Sequence, residues 1–362
     1  MAFFILRRTG VMILTALCLT FVVFFLTNLA PNLEKLAKTQ GNARMSDAEV
    51  TSWLDRNGYG GPQVVRYGEW LGVVPGWVRF DEPTGEWRGR CILRGQSPED
   101  ADRFCGLLQG DLGYSTVSNA EVAAIIGGRM ALTGVLMFWA FAVMVPTALV
   151  IGIMAGMREG SRMDRALSTF SIGTTATPEY VSGVVFIILL ASSQTGLSPL
   201  LVDWGWLESG TLFLGSARSA MEDVTIWNFT LPVITIAFYG IGYIARMTRA
   251  SMAEVMTAQY IRTARLKGVS FPNIVLKHAL RNALIAPFTV IMLQFPWLLN
   301  GVVIVETLFN YKGFGWVLVQ AAGNNDIELL LGVSVVSVFV VLITQLISDI
   351  GYVYLNPRIR IS

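Results

Sequence analysis

Side chains able to do covalent or acid–base chemistry are sparse in this 362-residue chain and do not converge. The single histidine, His278, rules out a multi-histidine metal site. No cysteine stands near it at metal-ligand spacing, so no metal is expected. There is no His-Glu-x-x-His run and no Gly-x-x-x-x-Gly-Lys-Ser/Thr run, so neither a zinc protease site nor a phosphate cradle is encoded. Cys18 lies in an apolar run, while Cys91 and Cys105 lie in a polar one. What remains is charge in unusual places. Glu179 sits in an otherwise apolar stretch, and a basic set (Arg246, Arg249, Arg262, Arg265, Lys267, Lys277, Arg281) fills the gap between two others.

Composition dictates the elements that hold these groups. Hydrophobic residues make up 53% of the chain, charged residues 14%, and mean hydropathy is +0.55. A soluble chain carries roughly a quarter charged residues. Too little polar surface exists to coat a water-facing globule, so the expected solvent is largely lipid. A bilayer core of about 30 Å takes about 20 apolar helical residues. Residues 9–28, 130–157, 224–245, 282–305 and 330–348 contain no Asp, Glu, Lys or Arg, and 166–190 is interrupted only by Glu179. The expectation is an all-α integral membrane protein with six transmembrane helices, because a helix satisfies its own backbone in lipid.

Arg7 and Arg8 precede the first stretch, and Arg158, Arg162, Arg165, the 246–281 set, Arg358 and Arg360 fall on the same side. The opposite loops hold only Arg218 in 191–223 and Lys312 in 306–329. The positive-inside bias therefore puts both termini in the cytoplasm. A cleavable leader is the other reading of residues 1–30. The run after Arg8 is long for one, and Ala30-Pro31 is a poor cleavage context, which favours a retained span. Residues 31–129 then form a large extracytoplasmic domain inserted after the first helix, with 13 acidic and 11 basic residues and enough aromatics for a small core. Cys91 and Cys105 are either a disulfide, as an oxidising compartment allows, or two buried thiols. Residues 130–362 form the rest, a five-helix core whose loop 246–283 lies inside.

That loop reads as helix, break, helix. Residues 251–267 carry apolar Met252, Val255, Met256, Ile261, Ala264 and Leu266. Gly268 suits a helix end, Ser270 a cap, and Pro272 a first turn leading into the fifth span. Its arginines keep the first helix out of the lipid interior. Two readings stand on spacing alone: a helix seated in a groove of a cytoplasmic partner, or one lying on anionic headgroups.

The run Tyr260-Ile261-Arg262-Thr263-Ala264-Arg265-Leu266-Lys267-Gly268-Val269-Ser270, with Lys277-His278-Ala279-Leu280-Arg281-Asn282-Ala283-Leu284 after it, closely resembles the coupling loop of ABC importer permeases. More narrowly, it is similar to those importing dipeptides, oligopeptides, nickel chelates and related solutes. Leu6-Arg7-Arg8 and Leu29-Ala30-Pro31, residues 54–71, Gly110-Asp111-Leu112-Gly113-Tyr114-Ser115, Val305-Glu306-Thr307-Leu308-Phe309, Gly313-Phe314-Gly315, residues 349–354 and Asn356-Pro357-Arg358 extend the resemblance over nearly the whole chain. Two departures stand out. Arg262-Thr263-Ala264 occupies the place of the general importer's Glu-Ala-Ala, a form common in the peptide-type subfamily, and residues 74–105 are an insertion.

The resemblance implies that Tyr260, Arg262, Thr263, Ala264, Arg265, Lys267, Gly268, His278 and Arg281 couple the chain to an ATP-binding subunit. It implies half of a translocation pathway, and hence a second homologous permease, two ATP-binding subunits carrying ATP and Mg, and an extracytoplasmic substrate-binding protein. The expected place is a bacterial inner membrane, in contact with lipid and not with nucleic acid, and no cofactor or catalytic residue is expected in this chain. Polar residues inside spans, Glu179, Gln294 and Asn300, are pathway candidates. Glu179 reads as an amine contact or a gate, or as a structural pair or a protonated acid, and Gln294 and Asn300 as interhelical hydrogen bonders. An ion-coupled transporter would need buried acids in several spans and would leave the loop unexplained.

Overall fold

The computed structural model describes all residues except Met1, 82–84, 93–95, 208–209 and 356–362, and leaves the side chains of 2–5, 86, 297–301 and 352–355 undescribed. Asn356-Pro357-Arg358 and Arg360 thus lie outside the described residues, as does the side chain of Asn300. In chain order, α1 (Ala2–Thr27) leads to α2 (Ala30–Gln40), α3 (Asp47–Arg56) and α4 (Gln63–Leu71). Strands β1 (Val78–Asp81) and β2 (Glu86–Gly89) form one antiparallel pair, and β3 (Tyr114–Ser115) and β4 (Ala120–Glu121) another. The remaining helices are α5 (Val122–Gly156), α6 (Arg162–Ala176), α7 (Glu179–Leu190), α8 (Leu197–Asp203), α9 (Ile226–Met256), α10 (Gln259–Leu266), α11 (Phe271–Asn273), α12 (Leu280–Ala283), α13 (Ile285–Leu308), α14 (Phe314–Gly323) and α15 (Ile327–Leu355). The fold is mostly helical, and the two small ladders correct the all-α expectation. The β1–β2 hairpin falls in the insertion, where Val78, Phe80 and Trp87 are β formers flanking a turn at Gly85.

Among the described residues, four helices are long and apolar enough to cross a membrane: α5, α9, and the stretches Leu6–Thr27 and Ile327–Gly351 of α1 and α15. The expected span at 166–190 is broken, whereas that at 282–305 is met by the continuous helix α13, with a bend just before it. Helices α6 and α7 meet at 107°, and Phe271–Ala283 and Ile285–Pro296 at 51°. The first break has a plain cause. Pro178 lacks an N–H and pushes Thr177 into an extended conformation, φ −89° and ψ 119°. Counting each bent pair as one span gives up to six.

The chain divides into two units. One comprises Met1–Leu6, Arg129–Trp316 and Val340–Ser362. Its axis is α9, of which 72% of the most apolar window is buried, against 17–33% for the other three long helices. Helices α6, α7 and α13 pack around it. Leu136, Met144, Ile236, Ile244, Val305 and Phe309 form the centre. Gly152 and Gly156 let the end of α5 approach the α9 backbone: an added Cβ would lie 2.6 Å from the Ala245 carbonyl oxygen and 2.7 Å from that of Arg249. This is the small-xxx-small device of helices packed in lipid.

The other unit is Arg7–Gly128 with Val317–Phe339. Phe24, Leu33, Leu36 and Trp70 share its core with Ile327, Leu331 and Val335. Ser46 and Glu49 make a capping box that starts α3. Arg66 donates to the Asn28 side chain at 2.9 Å, tying α4 to the end of α1. Cys91 and Cys105 are joined by a disulfide, with Cα atoms 5.5 Å apart.

Candidate functional site

The basic loop after α9 is built on its own small core. Met252 and Met256 of α9, Ile261 and Ala264 of α10, and Ile274, Val275, Ala279 and Ala283 beyond form one buried cluster. Ile261 and Ala264 are one helical turn apart, so α10 presents a single apolar edge inward. Its other sides are exposed at Gln259, Tyr260, Arg262, Thr263, Arg265, Leu266 and Lys267. The helix does not begin at Ser251, as the sequence pattern predicts. Residues through Met256 continue α9, and the chain turns at Thr257 and Ala258, the latter extended at φ −64° and ψ 148°. No proline or glycine marks this break. Burial of Met256 and Ile261 in the same cluster requires it.

Gly268 closes α10 as expected, at φ +74°. Its N–H bonds to the Arg265 carbonyl at 3.0 Å and that of Val269 to Ala264 at 3.2 Å, which satisfies the end of the helix. Ser270 stands at the next N-cap with Pro272 in the first turn, and its hydroxyl accepts from the Asn273 side chain rather than capping the backbone. A π-helical turn, Ile274–Ala279, follows and carries His278 on its exposed side. The Asn282 amide donates to the Tyr260 hydroxyl at 2.9 Å and fixes the two halves of the loop together.

Of the nine residues expected to couple, Tyr260, Arg262, Thr263, Arg265, Lys267, Gly268, His278 and Arg281 are exposed, and Ala264 is buried as part of the loop's support. Leu266, read from the sequence as part of the apolar stripe, is instead 82% exposed, with Leu276 and Phe271 also exposed. Five residues beyond Ile261, it has rotated off the buried edge once α10 restarts at Gln259. A second feature was not read from the sequence. Asp164 near the start of α6 takes a bidentate pair from Arg249 of α9, Nε to Oδ1 at 2.5 Å and Nη2 to Oδ2 at 2.8 Å. Its only sequence signal is that it stands, with Glu159, among Arg158, Arg162 and Arg165.

The pathway candidates separate. Gln294 is buried and lines a cavity of about 310 Å³ with Tyr239, Tyr243 and Leu293, between α9 and α13. Glu179 is buried in the first turn of α7, just past the Pro178 break, and is not among the described residues lining that cavity. Among the described residues no group of His, Cys, Asp and Glu could hold a metal ion.

A family model described as "Binding-protein-dependent transport system inner membrane component" matches residues 148–361, more than half of the chain and all of the loop. The chain belongs to this family. The permease is 27% identical over 99% of its length to the "Oligopeptide transport system permease protein AppB" of Bacillus subtilis, all of which is covered. It is 32% identical to the "Probable peptide ABC transporter permease protein y4tP" of Sinorhizobium fredii, covering 70% of this permease and 77% of that protein. A "Putative peptide permease protein" of Brucella suis is 26% identical over 96% of this permease and 95% of its own length. A crystal structure of an amino acid ABC transporter with histidines superposes with a TM-score of 0.45 at 15% identity, over 64% of the permease and 94% of that chain.

Proposed function

We propose that this permease forms half of the translocation pathway of an ATP-driven importer for peptides or related small solutes, and that the loop from Gln259 to Ala283 docks on an ATP-binding subunit. The observation that carries the reading is the exposed side of α10. Leu266 and the Arg262, Arg265 and Lys267 side chains stand outward on a helix whose opposite edge is anchored in its own core. An exposed apolar residue ringed by charge, on a braced support, fits a groove on a partner. ATP chemistry then belongs to the partner, since this chain encodes no phosphate cradle. The two bent helix pairs count as single spans in this reading. That makes six with both termini cytoplasmic, in a bacterial inner membrane, and places residues 31–129 outside, where a binding protein delivers solute. A second permease completes the pathway. The named relatives support the peptide class.

The test is co-purification of the full-length chain with the ATP-binding subunits encoded beside it. Leu266→Glu and Arg262→Glu are expected to abolish association while membrane insertion and thermal melting stay at the wild-type level. Retained association, or loss of loop binding to anionic vesicles alone, would replace docking by a headgroup anchor, the other role open to a basic amphipathic helix.

A further inference from the structure

A cavity of about 310 Å³ lies wholly within the unit built from Arg7–Gly128 and Val317–Phe339. Among the described residues, five charged side chains line it: Arg66 and Glu69 of α4, Arg90 just after β2, Asp111, and Glu328 in the first turn of α15. Trp53, Tyr59 and Trp77 supply aromatic wall. Arg66 and Asp111 have partners. Arg66 donates to the Asn28 side chain and, from Nε at 3.2 Å, to the Gly61 carbonyl, and Asp111 accepts the Gly113 N–H at 2.8 Å. Two groups of opposite charge do not. Arg90 Nε and Nη2, and Glu328 Oε2, are buried without a hydrogen-bond partner in the protein.

Unmet buried donors and acceptors are rare, and charged ones are the costliest. Here the pattern is chemically specific. Nε and Nη2 form one edge of the guanidinium, the fork that takes a carboxylate side-on through two parallel hydrogen bonds. Glu328 Oε2 is an acceptor suited to an ammonium. Gly113 makes room for it, because a Cβ there would stand 2.6 Å from that oxygen. The site is also a place of poor solvation: burial raises both the Glu69 carboxyl and the Tyr59 hydroxyl above their ordinary values. The volume is at the small end of ligand pockets, about 300–1,000 Å³.

We propose that this unit binds a small zwitterion, an amino acid or dipeptide, with its carboxylate on the Arg90 Nε–Nη2 edge and its ammonium on Glu328 Oε2. The insertion at 74–105 supplies Arg90 and Trp77, and so has a role: it closes the cavity with a guanidinium. The Arg90 N–H bonds to the Trp77 carbonyl at 3.0 Å, and the disulfide at Cys91 pins the next residue. This site is independent of the docking loop and does not rest on the transport reading.

Calorimetry on the full-length permease in lipid nanodiscs tests it, with L-alanine and L-alanyl-L-alanine as probes. At least one is expected to bind. Its N-acetylated and C-amidated forms should each bind at least about tenfold more weakly, the loss of a charge-assisted bond. Arg90→Gln and Glu328→Gln should weaken it similarly, and Arg90→Lys, which keeps charge but lacks the fork, should also fail. No binding of either probe, equal binding of the capped forms, or binding unchanged in folded Arg90→Gln and Glu328→Gln would each overturn the proposal. Should those variants not fold, the capped probes on the wild-type protein decide alone.

Discussion

Arg249 of α9 grips Asp164 of α6 through two hydrogen bonds, and Asp164 in turn accepts the Gly160 N–H at 2.9 Å and the Ser168 hydroxyl at 3.1 Å. Asp164 is 3% exposed and Arg249 29%, so the pair is only partly screened. It locks α6 to the long helix that feeds the basic loop. Asp164→Ala leaves the guanidinium without its main partner, and removing one member of such a pair costs about 3 kcal/mol. The expected outcome is a clear drop in the melting temperature of the detergent-solubilised permease, with Asp164→Asn intermediate. An unchanged melt in Asp164→Ala would show that the pair does not hold α6 in place.

Gly268 tests backbone geometry free of packing. An added Cβ there meets nothing within 4 Å, so a substitution acts through φ +74° alone. Left-handed backbone costs an L residue about 1–2 kcal/mol, more when β-branched, and least for Asn. Gly268→Val should insert into the membrane yet lose solute-stimulated ATP hydrolysis in the reconstituted importer, while Gly268→Asn keeps most of it. Equal activity of the two variants would remove the loop's turn from the coupling path.

Glu306 is fully buried where α13 meets α14. The Thr133 hydroxyl of α5 donates to its Oε1, and the Trp316 N–H donates to Oε2 at 2.9 Å. The same hydroxyl accepts the Phe314 N–H at 2.8 Å. Thr133→Val keeps the shape but strands both groups, at about 1–3 kcal/mol. The matching double variant, Thr133→Val with Glu306→Gln, should recover part of that loss. A melt showing strict additivity would mean the two side chains act separately.

Glu69 carries a pH dependence. Burial raises its folded-state value, with Arg90 and Arg66 opposing. A carboxyl raised on folding favours the native state below its unfolded value, and that contribution is lost as pH climbs through the folded value. Glu69→Gln should therefore raise the melting temperature at neutral pH and change it little in acid. Destabilisation at neutral pH that fades in acid would instead place Glu69 in an ion pair.

The amino-acid sequence alone determined the membrane character, the positions of the apolar stretches, the left-handed turn at Gly268 and the family. These rest on local quantities: runs of apolar residues, a glycine after a lysine, and a contiguous motif. Tertiary structure decided three other matters. The break at Thr257 and Ala258 has no local signal, because both residues tolerate a helix; it arises from burying Met256 and Ile261 in one cluster. Leu266 stands on the exposed side for the same reason, since a shifted helix start rotates every residue after it. Arg90 and Glu328 are 238 positions apart in the chain, and nothing in composition or spacing pairs them. Only the folding of residues 317–339 against the segment after α1 brings their unmatched charges to one cavity.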